Sequence, residues 1–92
     1  MLVTTIEINE RIATDEKFAK DVMHAMRRFA NMDWGDNSGN LTDEEWQSDW
    51  EFNDASAQAL NEGKYGRVLG VYGEFWIIKD TQATTILFPH EY

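Results

Sequence analysis

The last third of the chain constrains the fold most strongly, because short apolar segments alternate there with turn residues. Three segments are rich in β-branched and aromatic residues, at positions 67–72, 75–79 and 83–88. This pattern predicts three short strands. Gly73 and Glu74 fit a two-residue hairpin turn with glycine first, and residues 80–82 supply a second turn. We therefore expect an antiparallel three-strand meander that ends at Pro89.

Two helices are predicted before the meander. Residues 15–31 can be capped by Thr14 or Asp15, and their apolar side chains recur at helical spacing: Phe18, Val22, Ala25, Met26 and Phe29. Residues 42–62 begin with the capping-box pattern of Thr42 and Glu45 and should end near Gly63. Phe52 falls outside the apolar stripe of this second helix, which leaves open a break near residues 49–53.

The order of elements predicts the fold class. Residues 2–8 are rich in β-branched side chains and are predicted as a further strand. The chain is then a single α+β domain over residues 1–92, ordered β-α-α-β-β-β, with the N-terminal strand at a sheet edge and two helices on one face. Residues 75–78 and 86–88 are apolar on both faces. The second face is therefore expected to be partly exposed or an interface, which makes a homodimer or a docking surface possible.

Charge is distributed very unevenly along the chain, whose net charge is −9. No lysine or arginine occurs between Arg28 and Lys64, while the other residues carry eight acidic and eight basic side chains. The uncompensated stretch holds Asp33, Asp36, Asp43, Glu44, Glu45, Asp49, Glu51, Asp54 and Glu62. The negative electrostatic field of this stretch favours a basic partner or a cation. It disfavours direct binding of nucleic acid or of an anionic membrane.

Targeting signals are not evident in the sequence. The first residues lack the basic and apolar regions of a signal peptide, and no apolar run approaches the roughly 20 residues of a membrane span. The chain has no cysteine, which excludes disulfides and thiolate metal sites and is compatible with the reducing cytoplasm. We expect a cytoplasmic protein.

Several short motifs resemble a family of small bacterial proteins. They are Trp34-Gly35-Asp36, Asn53-Asp54, Gly66-Arg67-Val68-Leu69, Trp76-Ile77-Ile78, Thr84-Thr85-Ile86-Leu87-Phe88-Pro89 and Glu91-Tyr92. In this order they resemble proteins carried by phages, plasmids and conjugative elements, often labelled plasmid-related proteins and sometimes mislabelled as restriction-enzyme subunits. The resemblance covers most of the chain beyond residue 30. It implies a bacterial mobile element, a setting in which small acidic proteins often block host defence enzymes. The chain departs from the family by a longer, Trp-rich segment between Gly35 and Asn53.

The second predicted helix is the main candidate for partner binding. It is about 30 Å long and carries seven carboxylates, so roughly one per 4 Å, close to the 3.4 Å charge spacing of one nucleic-acid strand. Five of the acids share an arc of about 100°. The predicted partner-binding residues are Asp33, Trp34, Asp36, Asp43, Glu44, Glu51, Asp54 and Glu62.

Two functions remain open from the sequence. The first is a non-enzymatic inhibitor of anti-CRISPR or anti-restriction type, a partial nucleic-acid mimic in the host cytoplasm that occupies a basic groove of a bacterial defence nuclease. The second is a structural or regulatory accessory module that dimerises or docks through its apolar sheet face. In that case the acids serve only for solubility.

The tryptophans allow two interpretations as well. Trp34 lies in the predicted loop and is either an exposed interface anchor or a cover over a small core. Trp46 and Trp50 are one helical turn apart and are expected in the core against Phe18, Val22 and Phe29.

Metal binding and catalysis have weaker support. Residues 36–45 resemble the later part of an EF-hand loop, with Gly39 at the turn and Glu45 as bidentate ligand, but Trp34 would occupy the first ligand position. His24 and His90 have no neighbouring nucleophile or carboxylate in a catalytic pattern. No metal, cofactor or catalytic residue is predicted.

Overall fold

The computed structural model describes residues 1–92 and shows the predicted α+β architecture. Its elements are β1 (Leu2–Thr4), α1 (Ile6–Thr14), α2 (Glu16–Ala30), α3 (Asp43–Asn61), β2 (Val68–Tyr72), β3 (Phe75–Lys79), β4 (Thr84–Leu87) and a closing 3-10 turn (Pro89–Glu91). The strand order in the sheet is β1-β4-β3-β2. Strands β2, β3 and β4 form the antiparallel meander, and β1 lies at an edge, parallel to β4. The predicted meander and edge strand are confirmed.

The N-terminal segment differs from its prediction. Strand β1 ends at Thr4, and α1 begins at Ile6, so the prediction of a strand over residues 2–8 is wrong beyond Thr4. The Thr5 hydroxyl accepts a hydrogen bond from the Ile8 amide at 3.3 Å and caps the helix. Ile8 is completely buried. Capping and burial therefore outweigh the strand propensity of the β-branched residues.

The two predicted helices are confirmed within one residue at each end. The Asp15 carboxylate caps α2 by accepting from the Phe18 amide. Thr42 and Glu45 form the predicted reciprocal capping box. Helix α3 is continuous, so the possible break near residues 49–53 does not occur. Phe52 is 65% exposed, and a solvent-facing position outside the apolar stripe requires no interruption of the helix.

The main core lies between the sheet and the first two helices. Ile8, Phe18, Val22 and Ala25 from α1 and α2 pack against Tyr72, Phe75, Ile77 and Ile86. Two helices therefore cover one face, but they are α1 and α2. Helix α3 contacts the sheet at β2 instead. For this reason Trp46 and Trp50 lie outside the main core and pack edge-to-face on each other at 6.1 Å. The prediction that they contact Phe18, Val22 and Phe29 is wrong.

The outer edge of β2 is covered by side-chain and loop hydrogen bonds. The Asn53 side chain donates to the Leu69 carbonyl at 2.8 Å and accepts from the Leu69 amide at 3.1 Å. Two residues further on, the Val71 amide donates to the Trp34 carbonyl, and the Val71 carbonyl accepts from the Asp36 amide, both at 2.9 Å. The edge thus has partners for the groups that would otherwise recruit another strand.

Gly35 is required where the loop meets β2. Its φ is +100°, and a Cβ there would lie 1.7 Å from the Val71 carbonyl oxygen. We expect Gly35→Ala to lower the free energy of unfolding by at least about 3 kcal/mol, because both the backbone conformation and the close approach oppose a side chain. Denaturant unfolding measures this loss.

Gly39→Ala is the matched control for this substitution. Gly39 also has a positive φ, +91°, but a Cβ at this residue would meet nothing within 4 Å. The substitution should cost only about 1–2 kcal/mol, the conformational penalty alone. Equal losses at the two positions would contradict the close contact between the loop and Val71.

Candidate functional site

Three predicted site residues form local ion pairs. Arg28 binds Asp33 at 2.8 Å and Asp36 at 3.1 Å, and Lys64 approaches Glu62 at 3.4 Å. These ion pairs reduce the attraction of the three carboxylates for a partner, although one negative charge stays uncompensated because Asp33 and Asp36 share Arg28.

The Arg28 cluster also connects the loop to the sheet. Its guanidinium lies 5.5 Å from the centre of the Tyr72 ring, and the Tyr72 hydroxyl donates to the Asp33 carbonyl at 2.7 Å. Hydrogen bonds to Asp36 and Asp33 raise the Arg28 pKa. The Arg28 hydrogen bond lowers the pKa of the Asp33 carboxyl. Burial raises the pKa of the Tyr72 hydroxyl. These groups have a structural role in holding residues 33–36 against β2.

Trp34 belongs to the interior. Only 2% of its surface is exposed, and its ring meets Phe29 edge-to-face at 5.2 Å. Its indole N–H donates to the Asp54 carboxylate at 2.9 Å. The interpretation of Trp34 as a core residue is confirmed, and the alternative of an exposed anchor is wrong. Asp54 is half-buried and holds this indole, so its predicted place on an open acidic face also needs correction.

Four carboxylates in the first half of α3 remain exposed and form no ion pair: Asp43, Glu44, Asp49 and Glu51. They span about 12 Å along the helix axis. Helical spacing places Asp43, Glu44 and Glu51 on one flank and Asp49 on the other. The Glu45 carboxylate accepts a hydrogen bond from the Thr42 amide in the capping box. This bond lowers the pKa of the Glu45 carboxyl. We call these four carboxylates, of which Glu51 accepts a hydrogen bond from the Gln47 side chain at 3.3 Å, the α3 acidic cluster.

A cavity of about 320 Å³ lies between α3 and the second face of the sheet, on the flank of α3 that carries Asp49. The strand register places Leu69, Val71 and Trp76 on that face, opposite to the buried Tyr72 and Phe75. The apolar residues that line the cavity are Leu41, Trp46, Phe52, Leu69, Val71 and Trp76, and Asn37, Ser38, Asp49, Asn53 and Arg67 complete it. The sequence predicted the apolar second face but missed the cavity and the position of Asp49 beside it.

Arg67 is the basic residue of this cavity, and it is engaged elsewhere. Its guanidinium lies 5.1 Å from the centre of the Tyr92 ring and donates to the Tyr92 hydroxyl. Tyr92 in turn meets Trp76 edge-to-face at 5.8 Å. This stack places the Arg67 charge toward the C-terminal residue and leaves Asp49 without a basic partner.

The residues of the calcium hypothesis do not converge. The Glu45 carboxylate accepts from the Thr42 amide, and Asp36 pairs with Arg28. No group of three or more His, Asp or Glu side chains is arranged to hold a metal ion. His24 is exposed, and the His90 ring lies 2.6 Å from the Glu7 carboxylate. No helix combines the length and apolar character needed to cross a membrane.

Comparison of the chain with protein-family models, curated proteins and solved structures finds no match. The resemblance to proteins of mobile elements therefore stays a prediction.

The Arg28–Asp33 pair predicts a specific pH dependence of stability. Because the Asp33 pKa is lowered in the folded state, its contribution is fully present above about pH 4 and is lost as the pH falls through the folded pKa. We expect Asp33→Asn to lower the free energy of unfolding at pH 7 by about 1 kcal/mol, a modest value for a partly exposed pair. The difference from the unmodified protein should shrink below about pH 4.

Urea unfolding at several pH values measures this effect. Asp21→Asn is the control, since Asp21 forms an exposed pair with Lys17 at 3.1 Å and should change stability little at any pH. A difference for Asp33→Asn that stays constant between pH 7 and pH 3 would contradict the role of the pair.

Proposed function

We propose that the protein is a non-enzymatic binding module that presents the α3 acidic cluster to a basic surface of another protein. The observation that carries this proposal is the exposure of four carboxylates with no ion pair, within a stretch of the chain that contains no basic residue. Association with a basic partner would give each of them a countercharge, and long-range attraction would accelerate encounter.

Helix stabilisation explains part of the cluster, and only part. Asp43 and Glu44 lie in the first turn of α3, where negative charge favours the helix by interacting with its dipole. Asp49 and Glu51 lie in the second and third turns, beyond the reach of that effect. A basic surface on another protein better explains why Asp49 and Glu51 are exposed and have no ion pair.

The finer proposal concerns the kind of partner. The acidic cluster covers about 12 Å, the length of three to four phosphates in a single nucleic-acid strand. We propose a basic nucleic-acid-binding groove of a bacterial defence nuclease as the target, in an anti-CRISPR or anti-restriction role within the host cytoplasm. Inhibition would follow from occupancy of the groove. The resemblance to mobile-element proteins supports this setting, and the local pairing of Asp33, Asp36 and Glu62 limits the mimicry to a short segment.

The cavity favours a second candidate function. An accessory module could dock through the second face of the sheet, where Trp46, Phe52 and Trp76 surround an apolar space. Under this alternative the acids serve for solubility, and binding would be insensitive to their sign.

Charge reversal on α3 separates the two candidates. We expect Glu44→Lys combined with Glu51→Lys to weaken partner binding at least about tenfold, because attraction becomes repulsion. Asp54 is left unchanged, since it holds the Trp34 indole. The partner is first isolated from bacterial lysate at about 50 mM salt, and its affinity and association rate are then measured with purified components, with and without competing DNA.

The matched control is Glu10→Lys combined with Glu16→Lys. It changes the net charge by the same amount at exposed positions of α1 and α2, and it should leave affinity within about twofold if binding depends on the position of charge. Raising salt to about 200 mM should weaken binding, mainly by slowing association. An affinity that is flat with salt and equal for both variants would reject the proposal in favour of the accessory module.

A further inference from the structure

We infer that residues 88–92 form a strap that closes more tightly as the pH falls from about 8 to about 5.5. The strap runs from the start of α1 to the second face of the sheet. One end, at Glu91 and His90, contacts α1. The other end, at Tyr92, packs on Trp76 of the cavity lining. Opening of the strap would change access to that face independently of the α3 acidic cluster.

Glu91 attaches the strap to the cap of α1. Its carboxylate oxygen Oε1 accepts from the Phe88 amide at 2.9 Å and from the Thr5 hydroxyl at 2.8 Å. The same hydroxyl accepts from the Ile8 amide as the helix cap. The Phe88 amide, and less strongly the Thr5 hydroxyl, lower the pKa of the Glu91 carboxyl. This attachment is therefore present above about pH 5 and is lost only as the pH falls through the lowered pKa.

His90 supplies the part of the attachment that changes with pH. Its ring nitrogen Nε2 lies 2.6 Å from the Glu7 oxygen Oε2, and its ring stacks on Phe88 with centroids 5.6 Å apart. Phe88 in turn stacks on the buried Phe18. Packing thus holds the imidazole against Glu7. Histidine gains its positive charge between about pH 8 and pH 5, and only the charged ring forms an ion pair with a carboxylate.

Acidic groups dominate the surroundings of His90. Glu7 on α1 contacts it directly, and Glu91 lies next to it in the turn, where its carboxyl interacts with both Glu7 and His90. Glu10 and Arg11 follow on α1 and border the same recess as Phe88. Arg11 forms ion pairs with two other carboxylates. The two carboxylates beside a neutral imidazole therefore repel each other, and protonation places a cation between them.

Tyr92 extends the strap onto the second face of the sheet. Its ring meets Trp76 edge-to-face at 5.8 Å, and its hydroxyl accepts from the Arg67 guanidinium. Both partners line the cavity beside α3. The Tyr92 amide donates to the Pro89 carbonyl at 3.2 Å and closes the short turn that contains His90. Loosening at His90 would therefore also loosen Tyr92 from Trp76.

The expected change is modest because the ion pair is exposed. The His90 and Glu7 side chains are 66% and 53% exposed, and water and salt weaken such pairs. We expect the ratio of closed to open strap to rise about two- to threefold between pH 8 and pH 5.5. The turn is a small local element, so it can open while the core stays folded.

NMR on the unmodified protein measures this ratio. The observables are the chemical shift of the Trp76 indole N–H and the nuclear Overhauser effect between the Tyr92 and Trp76 rings, recorded in steps from pH 8 to pH 5.5. The Overhauser effect should strengthen as the pH falls, and the indole signal should move with it. Observables that stay constant over this range would overturn the inference.

Three substitutions assign the change to the strap. His90→Gln removes the titrating ring and should abolish the dependence on pH. Glu7→Gln removes the carboxylate that pairs with His90 and should reduce the change below about 1.5-fold. His24→Gln is the matched control, since His24 is exposed on α2 in a recess with Arg28, away from the strap. It should keep the full dependence. A dependence that persists in His90→Gln, or that is lost in His24→Gln, would contradict the strap.

Tyr92→Ala provides a test at the other end. The substitution removes the ring that packs on Trp76 and leaves His90 and Glu7 in place. The Trp76 indole signal should then take the position of the open strap at every pH. An indole signal that still moves with pH as far as in the unmodified protein would show that the strap does not carry the change to the second sheet face, and would overturn the inference.

Discussion

The paired hydrogen bonds between the Asn53 side chain and the Leu69 backbone are the interaction on which the position of α3, and the cavity beside it, depend. They attach α3 to the outer edge of β2 at 2.8 and 3.1 Å. The bonds from Trp34 and Asp36 to Val71 continue the same coverage. An edge strand with unpaired backbone N–H and C=O groups would be prone to pairing with strands of other chains. Here the edge instead fixes a helix, and that helix forms one wall of the cavity.

The position of α3 explains why only some acidic residues are candidates for binding. Asp33 and Asp36 lie where the loop approaches β2, and both form ion pairs with Arg28. Asp54 faces the interior and accepts from the Trp34 indole. The first half of α3 projects beyond these contacts and keeps its carboxylates exposed. The unpaired charge is therefore concentrated in the first half of α3, where Asp49 borders the cavity and Asp43, Glu44 and Glu51 lie on the other flank of the helix.

Much of the fold could be predicted from local patterns, and the misses have physical causes. Caps and turns are local, so α2, α3 and the β2–β3 hairpin were found with nearly correct ends. Helix α1 as a whole is not predicted, because β-branched residues over positions 2–8 suggest a strand, although the Thr5 cap is a usable signal. The position of α3 depends on hydrogen bonds between the Asn53 side chain and the backbone of Leu69, which is 16 residues further along the chain. The polar Asn53 within an apolar stripe was the one hint. Which carboxylates are paired depends on that tertiary arrangement and could not be read from charge alone.

Native-state hydrogen exchange of the Leu69 and Val71 amides tests the central claim most directly. Both amides lie on the outer edge of β2, and both donate within the folded protein, to Asn53 and to Trp34. Such amides exchange only when the structure opens. The edge-sealing account predicts protection comparable to that of amides within β3. Exchange at the rate of an unprotected loop amide would show an open edge and would contradict the placement of α3 and of the cavity it forms.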